Sequence, residues 1–273
     1  MACSAASSAA GTAPVPRRAV RGEGGYGDIQ PAGPELALPS GFRYSVISRA
    51  GTPMSDGNAT PNAFDGMATF ALPNGNVRLI RNHENRDNPL TAKVKGDPAR
   101  AYDRRAGGGC TSLEVRLAAD GSATLVRDFV SLNGTFINCA GGPTPWGSWL
   151  SCEETTDGRA QGWGEQHGYI FEVPASAEDE VEAIPLKAMG RFVHEAVAVD
   201  TDTGIVYETE DRLLAGFYRF IPNERGVLRA GGRLQMLAIQ GQRNVDLSLG
   251  QRMGARLQAG WVAIDDPDRN SVW

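Results

Sequence analysis

Asp65-Gly66-Met67-Ala68-Thr69-Phe70 runs through Pro73-Asn74-Gly75 into Val77-Arg78-Leu79-Ile80-Arg81-Asn82-His83-Glu84. Apolar residues alternate on either side of a Pro-Asn-Gly turn, which reads as strand, hairpin, strand, and the second strand ends on an acid. The same order recurs in His194-Glu195-Ala196-Val197-Ala198-Val199-Asp200, Asp202-Thr203-Gly204 and Ile205-Val206-Tyr207-Glu208-Thr209-Glu210-Asp211. A shorter version lies between them, where Pro145-Trp146-Gly147-Ser148-Trp149-Leu150-Ser151-Cys152 runs into Glu153-Glu154. After each acidic end comes a loop and then a strand opening on glycine, at Gly109, Gly168 and Gly216. Strand, turn, strand, loop, strand at a period of roughly 50 to 70 residues predicts the blades of a β-propeller rather than a sandwich.

The fold expected is therefore all-β, with a leader and arm over residues 1–40 and propeller sequence over 41–273. About four blades fit in that span, fewer than a closed ring of six, so the chain reads as a truncated propeller. Gly260-Trp261-Val262-Ala263-Ile264 reads as the start of a further strand unit. Residues 88–108 read as a long loop or lid, and the acidic run Ser176 to Glu182 as a solvated loop.

Composition narrows the function. Among 273 residues, 41% hydrophobic content suffices for a core, and 34 glycines with 16 prolines describe a turn-rich chain. A net charge of −5 argues against a nucleic-acid groove, and an acidic protein acting on an anionic substrate would need metal ions to reverse the local sign. Four cysteines without close pairing make neither a disulfide framework nor a zinc ribbon. The Ala/Ser-rich start, ending in Arg17-Arg18, holds no apolar run able to span a bilayer. Cys3 there would suit a bacterial lipid anchor, or the segment is simply low-complexity sequence.

Propeller geometry brings equivalent strand ends together on the axis, so acids recurring at one point of the repeat would form one polar cluster, and cations are the ordinary way to make it tolerable. The alternative is that these acids end their strands in solvent. Asn138 to Glu154 adds a thiol, Cys139, to the carboxylates Glu153 and Glu154. A soft ligand beside hard ones would serve a transition metal and calcium together, whereas a buried free cysteine beside two surface glutamates would serve neither. His83-Glu84 and His194-Glu195 lack HExxH spacing, since Asp87 and Ala198 stand where a second histidine would be needed. These histidines either orient neighbouring carboxylates or are hydrogen-bonded parts of the frame. Arg81, Arg191 and Arg212 flank the acidic motifs and could neutralise a phosphate or balance the acids. No P-loop, dinucleotide-binding glycine pattern or nucleophile elbow is present.

Together, Arg81-Asn82-His83-Glu84, the Asn138–Glu154 segment, His167 to Val173, Gly190 to Glu195, Tyr207 to Asp211 and Gly216 to Phe220 resemble the bacterial PhoX-type alkaline phosphatase family. The likeness runs from about Gly41 to about Ile264. It implies a six-bladed propeller whose axial site holds a pair of ferric ions and several calcium ions, and which hydrolyses phosphate monoesters outside the cytoplasm. Cys139 matches the family's iron-bound cysteine, and Glu84, Glu153, Glu154, Glu195, Glu210 and Asp211 occupy its acidic motif positions. His83, His194, Arg81 and Arg212 are then candidates for supporting the ligands or meeting substrate. The expected partners are small phosphate esters, not nucleic acid. The family's twin-arginine export signal is absent as a whole. Two other readings compete: a calcium-stabilised propeller scaffold without catalysis, and a single-calcium propeller lactonase, which gives Cys139 no task.

Overall fold

The computed structural model describes residues 25–86 and 93–269 and, for the backbone alone, 2–5. The Cys3 side chain, Arg17-Arg18, Asp87 and residues 88–92 of the long loop lie outside the described residues. Short pairings precede the main body: β1 (Ala2–Ala5) lies against β4 (Phe42–Ser45), and β2 (Ile29–Pro31) against β3 (Ala37–Pro39).

Three antiparallel sheets follow in chain order. The first is a four-stranded meander of β5 (Phe64–Ala71), β6 (Val77–His83), β7 (Gly108–Leu117) and β8 (Ala123–Thr135). The second has three strands, β9 (Asn138–Pro143), β10 (Ser148–Glu153) and β11 (Ile170–Pro174). The third has five, β12 (His194–Val199), β13 (Val206–Glu210), β14 (Phe217–Pro222), β15 (Gly232–Ile239) and β16 (Ala259–Ala263). Residues 260–264, read as opening a further unit, instead largely form β16, the edge strand that extends the third sheet by pairing with β15. The described residues thus hold three sheets of three or more strands where about four units were expected.

The sheets stack face to face. Ile80, Cys110 and Leu132 of the first sheet pack on Trp149, Phe171 and Val173 of the second. On the other side of the second sheet, Leu150, Cys152 and Ile170 meet Val197, Tyr218, Phe220 and Leu234 of the third. Being covered on both faces, β10 is buried at every residue. The leading strands β5, β9 and β12 run side by side, and glycine permits their closeness. A Cβ on Gly66 would stand 2.7 Å from the Ala140 Cα, and one on Gly142 only 2.1 Å from the Val197 carbonyl oxygen.

Loop expectations fared unevenly. Beyond the undescribed residues, the long loop packs down: Val94 is buried with Met54 and Val130 against the first sheet. The acidic run is only partly solvated, because Glu178 pairs with Arg78 and Arg127 at 2.9 Å each, and Glu180 is buried.

Candidate metal centre

One local irregularity occurs three times. In the first sheet Phe64 pairs with His83 and Met67 with Arg81, so Asp65 and Gly66 together oppose Asn82. In the second, Asn138 pairs with Glu153 and Gly141 with Ser151, so Cys139 and Ala140 oppose Cys152. In the third, His194 pairs with Glu210 and Val197 with Glu208, so Glu195 and Ala196 oppose Thr209. Each is a β-bulge, which re-aims the side chain it carries. The first bulge residue bears a ligand-type group, Asp65, Cys139 or Glu195, and the second is small, Gly66, Ala140 or Ala196.

The residue following each second strand is fixed in the same way. The Glu84, Glu154 and Asp211 amides donate to the carbonyl oxygens of Ala63 (2.8 Å), Ile137 (2.8 Å) and Val193 (3.0 Å). Each sheet therefore supplies a pair: Asp65 with Glu84, Cys139 with Glu154, Glu195 with Asp211. Ligand atoms of Asp65, Glu84 and Cys139 all lie within 4.8 Å of one another, as do those of Cys139, Glu154 and Glu195. The Cys139 Sγ belongs to both groups; it stands 3.5 Å from Glu195 Oε2 and 3.9 Å from Asp65 Oδ1.

Electrostatics show a cluster short of positive charge. Partial burial, with help from Glu84, raises the Asp65 carboxyl above its ordinary range. Burial with Glu84 and Asp211 pushes Glu154 up to about 7, and burial with nearby acids also raises Glu195. The Cys139 thiol is raised by burial and then by Asp65, Glu195 and Glu154. Bound cations would reverse these shifts, turning the acids and the thiol into ionised ligands. The donor set fits the metals the resemblance implies, with one thiolate for a transition ion and several carboxylates for hard cations.

Glu153 and Glu210, named with these acids from sequence, are aimed elsewhere, because successive strand residues face opposite ways. Glu153 is fully buried and accepts from the amides of Phe136 (2.8 Å), Gly168 (2.8 Å) and Tyr169 (3.1 Å) and from His167 Nδ1 (2.7 Å). Glu210 accepts from the Gly216 amide (2.8 Å) and the Tyr218 hydroxyl (3.1 Å). His83, one residue before Glu84, holds the corresponding place in the first sheet. Its Nδ1 donates to the Asn62 carbonyl at 2.8 Å and its Nε2 accepts from the Thr111 hydroxyl at 2.9 Å. Each of the three pins its neighbouring third strand or the turn leading into it.

The other named residues are also in the frame. His194 is buried, donates from Nε2 to the Gly190 carbonyl at 3.2 Å, and lies against the Phe192 ring. Burial lowers both His83 and His194 to about 3, leaving neutral rings. Arg81 is buried over the Phe64 ring with its carbon 3.8 Å from the centroid, and burial lowers it to about 10. Arg212 donates to the Thr156 hydroxyl at 3.1 Å and lies 3.8 Å from Glu210. Arg191 donates to the carbonyls of His167 and Thr156.

Sequence reading passed over Asp65, Asn82 and Arg86 as site residues. Asp65 occupies the repeat position of Glu195, which was the available signal. Asn82 donates to the carbonyl oxygens of both Cys139 and Ala140, and Arg86 reaches Glu84 and, at 2.8 Å, Glu154.

No described helix is long and apolar enough to cross a membrane. No curated protein and no solved structure matches the chain. The family model described as Alkaline phosphatase PhoX matches residues 25–272, nearly its whole length, and by that match the chain belongs to the PhoX alkaline phosphatase family.

Proposed function

We propose that this protein is a metal-dependent phosphatase that hydrolyses phosphate monoesters at an iron and calcium cluster, outside the cytoplasm. Family membership supports phosphatase chemistry and metal dependence. The observation that carries the finer reading is the threefold bulge, which aims Asp65, Cys139 and Glu195 at one place beside Glu84, Glu154 and Asp211. The three sheets are, on this reading, neighbouring blades of a propeller, and the cluster lies where their leading strands converge.

Asp65, Glu84 and Cys139 would hold one ion and Cys139, Glu154 and Glu195 a second, with Asp211 a neighbour of Glu154 and Glu195. An iron–calcium cluster, when bound, supplies Lewis acidity and positive charge that offsets the phosphoryl oxygens. The chain contributes position. The bulges fix the ligand directions, and buried Glu153, Glu210 and His83 hold the strands from which those ligands project. The Asn82 amide holds the Cys139 backbone. No side-chain nucleophile is then required: the Cys139 thiol is taken up as a ligand and the Thr111 hydroxyl that meets the His83 ring is fully buried, so water is the acceptor of the phosphoryl group.

The test is hydrolysis of an aryl phosphate monoester by the wild type and Cys139→Ala, before chelation, after it, and after restoring iron, calcium or both. Loss on chelation with recovery only when both metals return, and no bound iron or turnover in the variant, is the expected result. An active iron-free variant would overturn the assignment. A folded protein that binds calcium and hydrolyses nothing would point instead to a calcium-stabilised scaffold.

A further inference from the structure

The Arg86 Nη2 donates to Glu84 Oε1 and, at 2.8 Å, to Glu154 Oε2. One nitrogen thus bridges carboxylates drawn from the two ligand groups that share Cys139. An ion held by either group would need a carboxylate that the guanidinium already pairs. The guanidinium reaches solvent, since the Arg86 side chain is 56% exposed, whereas those of Glu84 and Glu154 are 23% and 14% exposed. A long exposed side chain can leave while the carboxylates it touches stay where the backbone fixes them.

We propose that Arg86 is a tethered counter-cation: it pairs with Glu84 and Glu154 in the metal-free protein and is displaced when metal ions take these carboxylates as ligands. Pairing and metal occupancy then exclude one another. This inference rests on the metal-cluster reading above and adds to it a competitor carried by the chain itself. Its sign is opposite to that of an ordinary supporting residue, because removing Arg86 strengthens metal binding. If the competing pair occupies most molecules, apparent affinity is reduced by the fraction left unpaired, so its removal tightens binding by about three- to tenfold.

The experiment is calorimetric titration of calcium into metal-free wild type, Arg86→Gln and Arg86→Lys, with melting temperatures for the metal-free and calcium-saturated forms. Arg86→Gln is expected to bind calcium more tightly and to melt lower than wild type when metal-free, yet to match it when saturated. Arg86→Lys, a point charge without the planar fork, should fall between them. The paired comparison of melting temperatures separates displacement from a general charge effect. If Arg86 stayed paired beside the metal, its loss would lower both melting temperatures alike, and that outcome overturns the proposal. Equal calcium affinities overturn it too while leaving the metal cluster standing. No calcium binding by any of the three overturns the cluster reading and this inference with it.

Discussion

The side-chain amide of Asn82 donates to the carbonyl oxygen of Cys139 at 2.9 Å, tying the thiol's own peptide unit to the first sheet. The same nitrogen reaches the Ala140 carbonyl at 2.8 Å. Its oxygen accepts from the Trp149 indole (2.9 Å), the Ser151 hydroxyl (2.8 Å) and the Cys110 thiol (3.1 Å). A buried side chain opposite one bulge therefore holds the next bulge in place.

Asn82→Ala would leave those buried groups without their partner at once. Unsatisfied polar groups in a closed interior cost about 1–3 kcal/mol each when water cannot reach them, and relaxation recovers part. The expected loss is about 2–4 kcal/mol in urea unfolding of the metal-free protein, with weakened calcium binding. An unchanged unfolding midpoint would show that Asn82 does not organise the bulge.

Glu153 and Glu154 should part company under the same substitution. Replacing Glu153 by Gln puts an amide where four donors converge, and should cost about 2–3 kcal/mol of stability. Replacing Glu154 by Gln removes a charge from a group of like charges. Melting of the metal-free protein should then stay level or rise, while calcium titration shows weaker binding. The reverse pattern would move the ligand role to Glu153.

The contrast marks how far sequence reading reached. Alternation in residues 65–84 and 194–211 disclosed β5, β6, β12 and β13, because a half-buried strand prints its faces into the chain. It did not disclose β9, since Asn-Cys-Ala-Gly-Gly-Pro has neither alternation nor β-branched residues, and the strand exists through close packing between β5 and β12. Without β9 the middle repeat begins at Pro145, which leaves Cys139 without counterparts in the other two repeats and Asp65 without a signal of its own. Nor can adjacent acids such as Glu153-Glu154 be told apart by composition. Which one faces the cluster depends on a bulge that only strand pairing shows.

Glu208 offers a stability test away from the cluster. It is fully buried in β13, both carboxyl oxygens lack a hydrogen-bond partner among the described residues, and His194 Nδ1 lies 3.6 Å away without bonding. Burial raises its carboxyl far above the ordinary range, which favours the protonated form in the fold. Glu208→Met keeps the length and removes the unpaired polar atoms, and should raise stability at pH 7 by about 1–3 kcal/mol in urea unfolding. A destabilised variant would mean that the carboxyl has a bonded partner in solution, such as a buried water.

Glu180 gives the pH dependence a defined window. Its oxygens accept from the Asp97 amide at 2.8 Å and from the Asn133 side chain, joining the 97–100 turn to β8. Burial, reinforced by the charges of Asp97 and Asp179, pushes its carboxyl from the ordinary 4.5 up to about 7. The folded chain thus keeps a proton that the unfolded chain releases. The resulting stabilisation is complete below about 4.5, declines as pH rises towards 7, and is gone above it. Glu180→Gln cannot titrate, so wild type should lose stability relative to the variant between pH 5 and pH 7.5, as read from urea midpoints at each pH. Parallel pH profiles for the two proteins would place the proton elsewhere.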